Sequence, residues 1–343
     1  MKSSYIPKLL TRNEFRQKVF ERDNFVCVFC KNKALDAHHI IERKLWSDGG
    51  YYIDNGASVC EEHHLACERT DISVEQVREA CKITHIVIPL HFYNDHKYDK
   101  WGNLILENGT RLKGELFFDE SVQKIISNHL SLFCEYVKYQ RTNHVPWSEG
   151  IHNDDRVIDS MNSFTNKRVI VTQKFDGENT SLYKNYTHAR SIDSNNHPSR
   201  NWVKNFHSSI SQDIPEKWRI CGENMYVKHS IGYENLKSYF LGFSIWNEKN
   251  ICLPWDETIE YFQLLGITPV DVIYDGIYDE NLIRQLYNSK KDWDSCEGYV
   301  IRTFEEFSYG EFKHKVAKFV RKGHVLTTTH WMHGQPLVKN IMK

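Results

Sequence analysis

Arg168-Val-Ile-Val-Thr172, Lys174-Phe-Asp-Gly177 and Thr180-Ser-Leu-Tyr183 together form the stretch on which the fold turns. Two short runs rich in β-branched and aromatic residues read as strands. Asp-Gly between them supplies a turn. The pattern predicts a lysine at the end of one strand, just before the chain enters the next. An amine fixed in such a place suits a covalent nucleophile, provided that its surroundings lower its pKa from about 10.4 so that it can be neutral. Four residues are a weak pattern alone, and the remaining chain has to decide.

With 343 residues the chain has room for two or three domains and a sizeable core. Its 44 Lys+Arg balance 45 Asp+Glu, so net charge does not announce a nucleic-acid partner and any basic surface must be local. The N-terminus lacks the apolar core of a signal peptide, and no run of about 18 apolar residues is present. These features lead to the expectation of a soluble, intracellular (cytoplasmic) protein with no membrane partner. Of nine Cys, two lie as a Cys-x-x-Cys pair and a third in a Cys-x-x-His-His cluster, which reads as metal ligation, while the other six are scattered, as in a reducing compartment; 18 His is a high count.

Composition divides the chain into residues 1–80, which hold the paired Cys and His, a connector over 81–140, a third region over 141–324 and a tail over 325–343. Within the connector, Ile105 to Leu112 reads as a hairpin in which Asn108-Gly109 supplies the positive φ angles of a tight turn. Asp119 to Tyr139 reads as a helix capped by Asp119, with Val122, Ile125, Ile126, Leu130, Phe133 and Val137 near one face. In the third region Phe240–Trp246, Gly298–Arg302 and Val316–Val320 are predicted strands, and Trp255–Leu265 a helix ending at Gly266.

Cys27-Val-Phe-Cys30 and Cys60-Glu-Glu-His63 have the spacing of two zinc-ligand pairs, and a tetrahedral Zn²⁺ would supply much of the folding energy of so small a region. Between them lie Asp36-Ala-His38-His39-Ile40 and Asn55, and His64 follows His63. In this order, residues 12–75 resemble the HNH (ββα-metal) nuclease family. The resemblance implies that His39 is the general base that deprotonates water, that His38 and His64 hold a catalytic Mg²⁺ or similar ion, and that Asn55 orients the base. Asn55 is also counted with the nucleic-acid-facing residues. Glu68, one helical turn after His64, would be a further ligand. A structural zinc module that only binds nucleic acid is the other reading of the same residues.

After Gly177 come Arg190, then Glu223-Asn-Met-Tyr-Val-Lys-His229-Ser-Ile, Phe243, Glu297-Gly298, and Lys315-Val-Ala-Lys318-Phe-Val-Arg321. This ordered series, over about residues 138–324, resembles the covalent nucleotidyltransferases that include polynucleotide ligases and capping enzymes, and most of all their RNA ligase branch. The fold class it implies is α+β: a mixed antiparallel-sheet, ATP-grasp-like ligase adenylation domain preceded by a small ββα-metal zinc domain. By the same resemblance, Lys174 would attack the α-phosphate of ATP and carry AMP as a phosphoramidate. Lys318, with a metal ion, would lower the pKa of Lys174 and hold phosphates. Lys315, three residues away, cannot share its strand face and is the second choice. Glu223 would bind the ribose, Phe243 stack on adenine, Arg190 contact the nucleotide, and Glu297 serve Mg²⁺ or Mn²⁺. His229 and Arg321 would touch phosphates of the nucleic acid.

The resemblance implies a ligase that seals 5′-phosphate/3′-hydroxyl nicks in duplex DNA, RNA or hybrid, favours RNA on the 3′-hydroxyl side, and acts as a monomer. ATP is preferred over NAD⁺ because a zinc module stands where NAD⁺-dependent ligases carry a nicotinamide-binding domain. Only about 20 residues follow Arg321, too few for the barrel that usually clamps the strand, so the N-terminal regions are expected to take over that task. The alternative is a zinc-dependent HNH endonuclease whose transferase domain is a nucleotide sensor or a duplex-binding module.

Overall fold

The computed structural model describes residues 6–152, 155–192, 194, 196–288, 296–323 and 337–343. The chain divides into two compact units, Met1–Val137 and Lys138–Lys343.

In the first unit, helix α1 (Arg12–Arg22) starts at a capping box, in which Thr11 accepts from Glu14 N–H and the Glu14 carboxylate accepts from Thr11 N–H. Strands β1 (Asp36–His39) and β2 (Gly56–Val59) pair antiparallel, and helix α2 (Glu61–Glu68) follows directly. Their apolar sides meet α3 (Val74–Ala80) around Ile40, Ile41, Leu45, Val59 and Val77. A three-stranded sheet of β3 (Lys97–Tyr98), β4 (Leu104–Ile105) and β5 (Arg111–Leu112) and the short helix α4 (Glu120–Ile125) complete the unit.

Two expectations for this unit need correction. The hairpin exists, but its loop is wider than a two-residue turn: Leu106 N–H donates to Thr110, Gly109 N–H to Leu106, and of Asn108 and Gly109 only Gly109 has positive φ, at 82°. The helix expected over Asp119–Tyr139 is capped by Asp119 as read, but it ends at Ile125 and passes into a 3₁₀ turn over Ser127–Leu132. Ser127-Asn128-His129 are poor helix formers. Beyond them the chain is drawn out because Phe133 bridges Arg111 and Cys134 N–H donates to the Arg111 carbonyl.

The second unit is built on two sheets. One has five strands in the order β14 (Val272–Ile277), β7 (Arg168–Lys174), β15 (Gly298–Thr303), β17 (Val316–Val320) and β6 (Asn143–His144). The other runs β16 (Phe307–Ser308), β12 (Ile251–Cys252), β11 (Phe240–Trp246), β10 (Arg219–Asn224), β8 (Glu178–Leu182) and β9 (Thr187–Ala189), with β13 (Thr268–Pro269) beside β11. Pairing is antiparallel except for β17 with β6 and β11 with β13. Helices α5 (Asn201–Ile210) and α6 (Trp255–Leu264) share one core with the second sheet through Val203, Ile210, Ile220, Phe240, Ile245 and Phe262. The remaining helices are α7 (Glu280–Asn288) and the single turn α8 (Phe312–Lys315).

Period-two alternation in the five-stranded sheet decides where the chemistry lies. Val169, Val171, Tyr299, Ile301, Ala317 and Phe319 enter one buried core. Thr172, Lys174, Val300, Arg302, Val316 and Lys318 face the opposite way and line a cavity. Part of the expected tail is docked: Lys339 and Met342 bridge to Val227 and Leu236, and Asn340 is buried. Residues 325–336 of that region lie outside the described residues.

Candidate active site

A cavity of about 430 Å³ opens between the two sheets of the second unit. Lys174, at the end of β7, lies level with Gly298 in the sheet register, and the row beside it runs Thr172, Val300, Lys318. The Lys174 ammonium donates to Glu297 Oε2 over 2.5 Å. From the facing sheet come Glu223 at the end of β10 and Phe243 on β11, with Arg190 and His229 on the loops. Deeper in, the wall becomes apolar at Trp246, Phe307, Phe312 and Val316. Phe243 packs edge-on against Tyr139 at 5.3 Å, so it is both a core contact and part of the cavity wall.

The Lys-Phe-Asp-Gly turn is held from below. Asp176 Oδ2 accepts from the N–H groups of Ser230 and Ile231, each at 2.8 Å, and Asp176 N–H donates to the Tyr233 hydroxyl at 2.9 Å. Gly177 N–H donates to Glu223 Oε1 at 3.2 Å. A side chain at Gly177 would meet Met225 Sδ, the Asn224 carbonyl and Glu223 Cγ, all within 2.8 Å. Glycine is required there by this close approach and not by its backbone angles.

The electrostatics correct one expectation. Burial pulls the Lys174 pKa down, but the Glu297, Glu223 and Asp176 carboxylates outweigh it and hold the ammonium above its ordinary value. The neighbouring lysine bears the cost instead. Burial and then Lys174 bring Lys318 down to about 8, against the attraction of Asp155 and Glu297. Glu223 is pushed up to about 8 by burial and by Glu297 and Asp176, against the pull of Lys174. Around the Lys174 ammonium the pocket therefore gathers three carboxyl groups, those of Glu297, Glu223 and Asp176, with Lys318 beside them.

Other sequence-derived positions fall outside the cavity. Lys315 ends α8, 3.8 Å from Glu311, and Val316 takes the place on the wall. Arg321 is buried, and its Nε donates to the Cys296 carbonyl, next to Glu297. Sequence reading missed Asp155. Its Oδ1 lies 3.8 Å from Lys318 and 3.5 Å from Arg141, and its Oδ2 lies 3.3 Å from buried His144. No local pattern marks it, and only the fold brings it to Lys318.

In the first unit, the ligand atoms of Cys27, Cys30, Cys60 and His63 lie within 4.8 Å of one another, and all four residues have the expected spacing. Cys30 Sγ and Cys60 Sγ are 3.7 Å apart, close to the edge of about 3.8 Å that a Zn–S bond of about 2.3 Å gives in a tetrahedron. The donor set fits Zn²⁺. A second cluster joins His38, His64 and Glu68. His64 Nε2 is 3.2 Å and His38 Nδ1 3.5 Å from Glu68 Oε1. His38 Nδ1 is buried and makes no hydrogen bond; in the tautomer protonated at Nε2 it carries an orphaned lone pair that a divalent ion would satisfy. His39 lines one cavity with His38, His64 and Glu68 while stacking on Phe15 at 4.6 Å. Burial, Lys100 and Arg43 lower its pKa to about 4, so it is neutral near pH 7.

Asn55 is buried, accepts from Ile41 N–H and donates to the Ile41 and Gly50 carbonyls, backbone contacts of the kind through which it is expected to orient His39; being buried, it does not face nucleic acid, contrary to its second reading. Lys100, read as part of a connector, reaches into the cluster. Its ammonium lies 3.1 Å from Glu68 Oε1 and donates to the His39 carbonyl at 2.9 Å.

Residues 167–320 match the family model described as RNA ligase. That segment runs from the start of β7 to the end of β17 and contains Lys174, Glu223, Phe243, Glu297 and Lys318. No curated protein matches the chain. Among solved structures, the chain is similar to an archaeal ATP-dependent RNA ligase (16% identity over 54% of this chain and 48% of that one, TM-score 0.36). It is also similar to a Naegleria gruberi RNA ligase variant with ATP and Mn (16%, 48% and 53%, TM-score 0.34) and to a putative ATP-dependent DNA ligase from Aquifex aeolicus (17%, 54% and 50%, TM-score 0.35). The matched region spans about half the length of each of those solved chains. Among the described residues no helix is long and apolar enough to cross a membrane.

Proposed function

We propose that the chain is an ATP-dependent polynucleotide ligase working through a Lys174–AMP intermediate. The observation that carries this reading is Lys174 in a cavity wall, 2.5 Å from Glu297, on the same face as Lys318 and opposite Glu223 and Phe243, within the segment that matches the RNA ligase family. The Lys174 lone pair attacks the α-phosphorus of ATP, the bond to the bridging oxygen breaks, and pyrophosphate leaves. The proton that the ammonium must first lose already points at Glu297 Oε2, which is positioned to receive it. Phe243 and the apolar wall take the base, and Glu223 the ribose hydroxyls. Lys318 places positive charge where phosphate charge develops. The nucleotide then passes to the 5′-phosphate of a strand, and a 3′-hydroxyl attacks that activated phosphate and releases AMP.

Mg²⁺ or Mn²⁺ fits the hard oxygen donor that Glu297 places beside Lys174 in the cavity. Bound, it would draw charge from the phosphate oxygens and offset the carboxylates that keep Lys174 protonated.

RNA on the 3′-hydroxyl side is the expected substrate. A panel of nicked duplexes with RNA or DNA on each side tests this, and equal sealing of an all-DNA nick would sink it.

A second activity is favoured by the His38–His64–Glu68 cluster with its orphaned Nδ1. In this reading the first unit is stabilised by Zn²⁺ on Cys27, Cys30, Cys60 and His63 and cuts nucleic acid, with His39 as base and a divalent ion held by the cluster. Cutting that survives Lys174→Ala but not His39→Ala would establish two independent activities. Cutting lost in Lys174→Ala would contradict independence. If no cutting is found, and ligation survives His39→Ala but fails in Cys30→Ala, the unit is a clamp for the strand.

A further inference from the structure

The loop from Met225 to Leu236 carries His229 and supports the Lys-Phe-Asp-Gly turn, yet it belongs to no sheet. Its backbone partners come from a distant piece of chain, residues 337–343. Lys228 N–H donates to the Val338 carbonyl, Leu236 N–H to Ile341, Ile341 N–H to Tyr233, and Lys343 N–H to Leu236, over 2.8 to 3.0 Å. At the centre sits Asn340, which is 3% exposed. Its Nδ2 donates to the Met225 carbonyl at 2.8 Å and its Oδ1 accepts from Tyr233 N–H at 2.9 Å. Its backbone N–H donates to Tyr226, and its carbonyl accepts from the Tyr239 hydroxyl at 2.8 Å.

Asn340 therefore fixes both ends of the arc whose middle fixes Asp176. Met225 and Tyr233 are its direct partners. Between them, Ser230 and Ile231 N–H groups hold the Asp176 carboxylate, and the Tyr233 hydroxyl holds the Asp176 N–H. Phe175 packs on the Tyr233 ring at 5.5 Å. By contrast, Val338 and Ile341 leave more than half of their surfaces exposed. The segment is thus held chiefly by hydrogen bonds, with little apolar burial. Contacts of that kind open locally at low free-energy cost without unfolding the rest of a domain.

We propose that residues 337–343 act as a releasable strap that positions the nucleophile turn, with Asn340 as its anchor and positioning residue. The proposal rests on the transferase reading of Lys174. With the strap docked, the arc presents Ser230 and Ile231 N–H to Asp176 and keeps Lys174 aligned. When the strap lifts, Asp176 loses the ordered backbone that holds it and the amine loses its aim.

The test compares full-length Asn340→Ala, Asn340→Asp and Ile341→Ser with the wild type. Single-turnover transfer of label from α-labelled ATP is measured at saturating and limiting ATP, together with exchange of the Ser230 and Ile231 amides and the melting temperature. Asn340→Ala is expected to slow transfer at saturating ATP about tenfold or more, as a displaced nucleophile does, and to speed exchange at both amides. Asn340→Asp, which keeps the acceptor for Tyr233 and loses the donor to Met225, should fall between. Ile341→Ser, altering an exposed side chain on the same strap, should match the wild type. Wild-type transfer and exchange in Asn340→Ala would overturn the strap. If Asn340→Ala melts the unit, Asn340→Asp decides by the same two readouts. A wild-type chain that takes no label would sink the transferase reading instead, and the strap is then judged by exchange, where unchanged amide rates overturn it.

Discussion

Gly177→Ala is a small change with a large calculable effect. The added methyl carbon would stand 2.6 Å from Met225 Sδ, 2.7 Å from the Asn224 carbonyl oxygen and 2.8 Å from Glu223 Cγ. The methionine sulfur can swing aside, since Met is the most adaptable of apolar side chains. The Asn224 carbonyl cannot, because it belongs to β10, where Asn224 is paired in register with Glu178 of β8. The strand end has to retreat by several tenths of an ångström, and the Gly177 N–H bond to Glu223 lengthens from 3.2 Å. Forcing a methyl into packed surroundings costs about 1–3 kcal/mol. For a unit of this size that lowers the melting temperature by about 2–12 °C. Displacing Glu223 and Lys174 should also slow nucleotide transfer by about 10- to 100-fold. Gly109→Ala is the control: its methyl enters open space but its φ is 82°, so the cost is conformational, roughly 1 kcal/mol, and label transfer is unaffected. The assays are a melting curve and single-turnover transfer from α-labelled ATP. A Gly177→Ala protein that melts within about 1 °C of the wild type and transfers at the same rate would refute the close-approach argument.

Lys318, brought to about 8 by burial and Lys174, loses its charge in the folded protein as pH rises through 8, while an unfolded lysine stays charged to about 10.4. The cost of burying that charge is present below pH 8 and is relieved above it; transfer should fall above pH 8, and in Lys318→Arg the fall should move to higher pH. A pH–rate profile checks both. Asp155→Asn removes the carboxylate 3.8 Å from Lys318, so the alkaline fall should move below pH 8 and kcat/KM for ATP should drop by about tenfold, or ~1.4 kcal/mol. Cys60→Ser breaks the Cys27–Cys30–Cys60–His63 set; metal analysis should show zinc lost, and the first unit should lose several kcal/mol of stability.

The strands that carry the pocket were legible because their alternation is strong. Val169 and Val171 face a core while Thr172 and Lys174 face the cavity, and the same logic selects Lys318 over Lys315. The Cys27–Cys30 and Cys60–His63 pairs were legible as candidate metal ligands because each pair is close in sequence. Interactions between distant residues were not: Lys100 meets Glu68, Asp155 meets Lys318, and Asn340 meets Met225 only through the fold. Sequence does not reveal burial, so neither the buried Asn55, read both to orient the base and to contact nucleic acid, nor the buried Arg321, read as a phosphate contact, could be placed in advance. The helix over Asp119–Tyr139 was overextended because apolar spacing fits a helix even where Cys134 hydrogen-bonds to the Arg111 carbonyl. For Lys174, sequence named the positive neighbour but not the sum of three carboxylates around it.

The central claim is that Lys174 becomes covalently adenylated. Incubation of the full chain with α-labelled ATP and Mg²⁺, followed by denaturation, tests it directly. Label is expected on the wild-type chain, released by acid as from a phosphoramidate, and none on Lys174→Ala. Label that persists on Lys174→Ala, or a wild-type chain that takes none under conditions where its fold is intact, would contradict it.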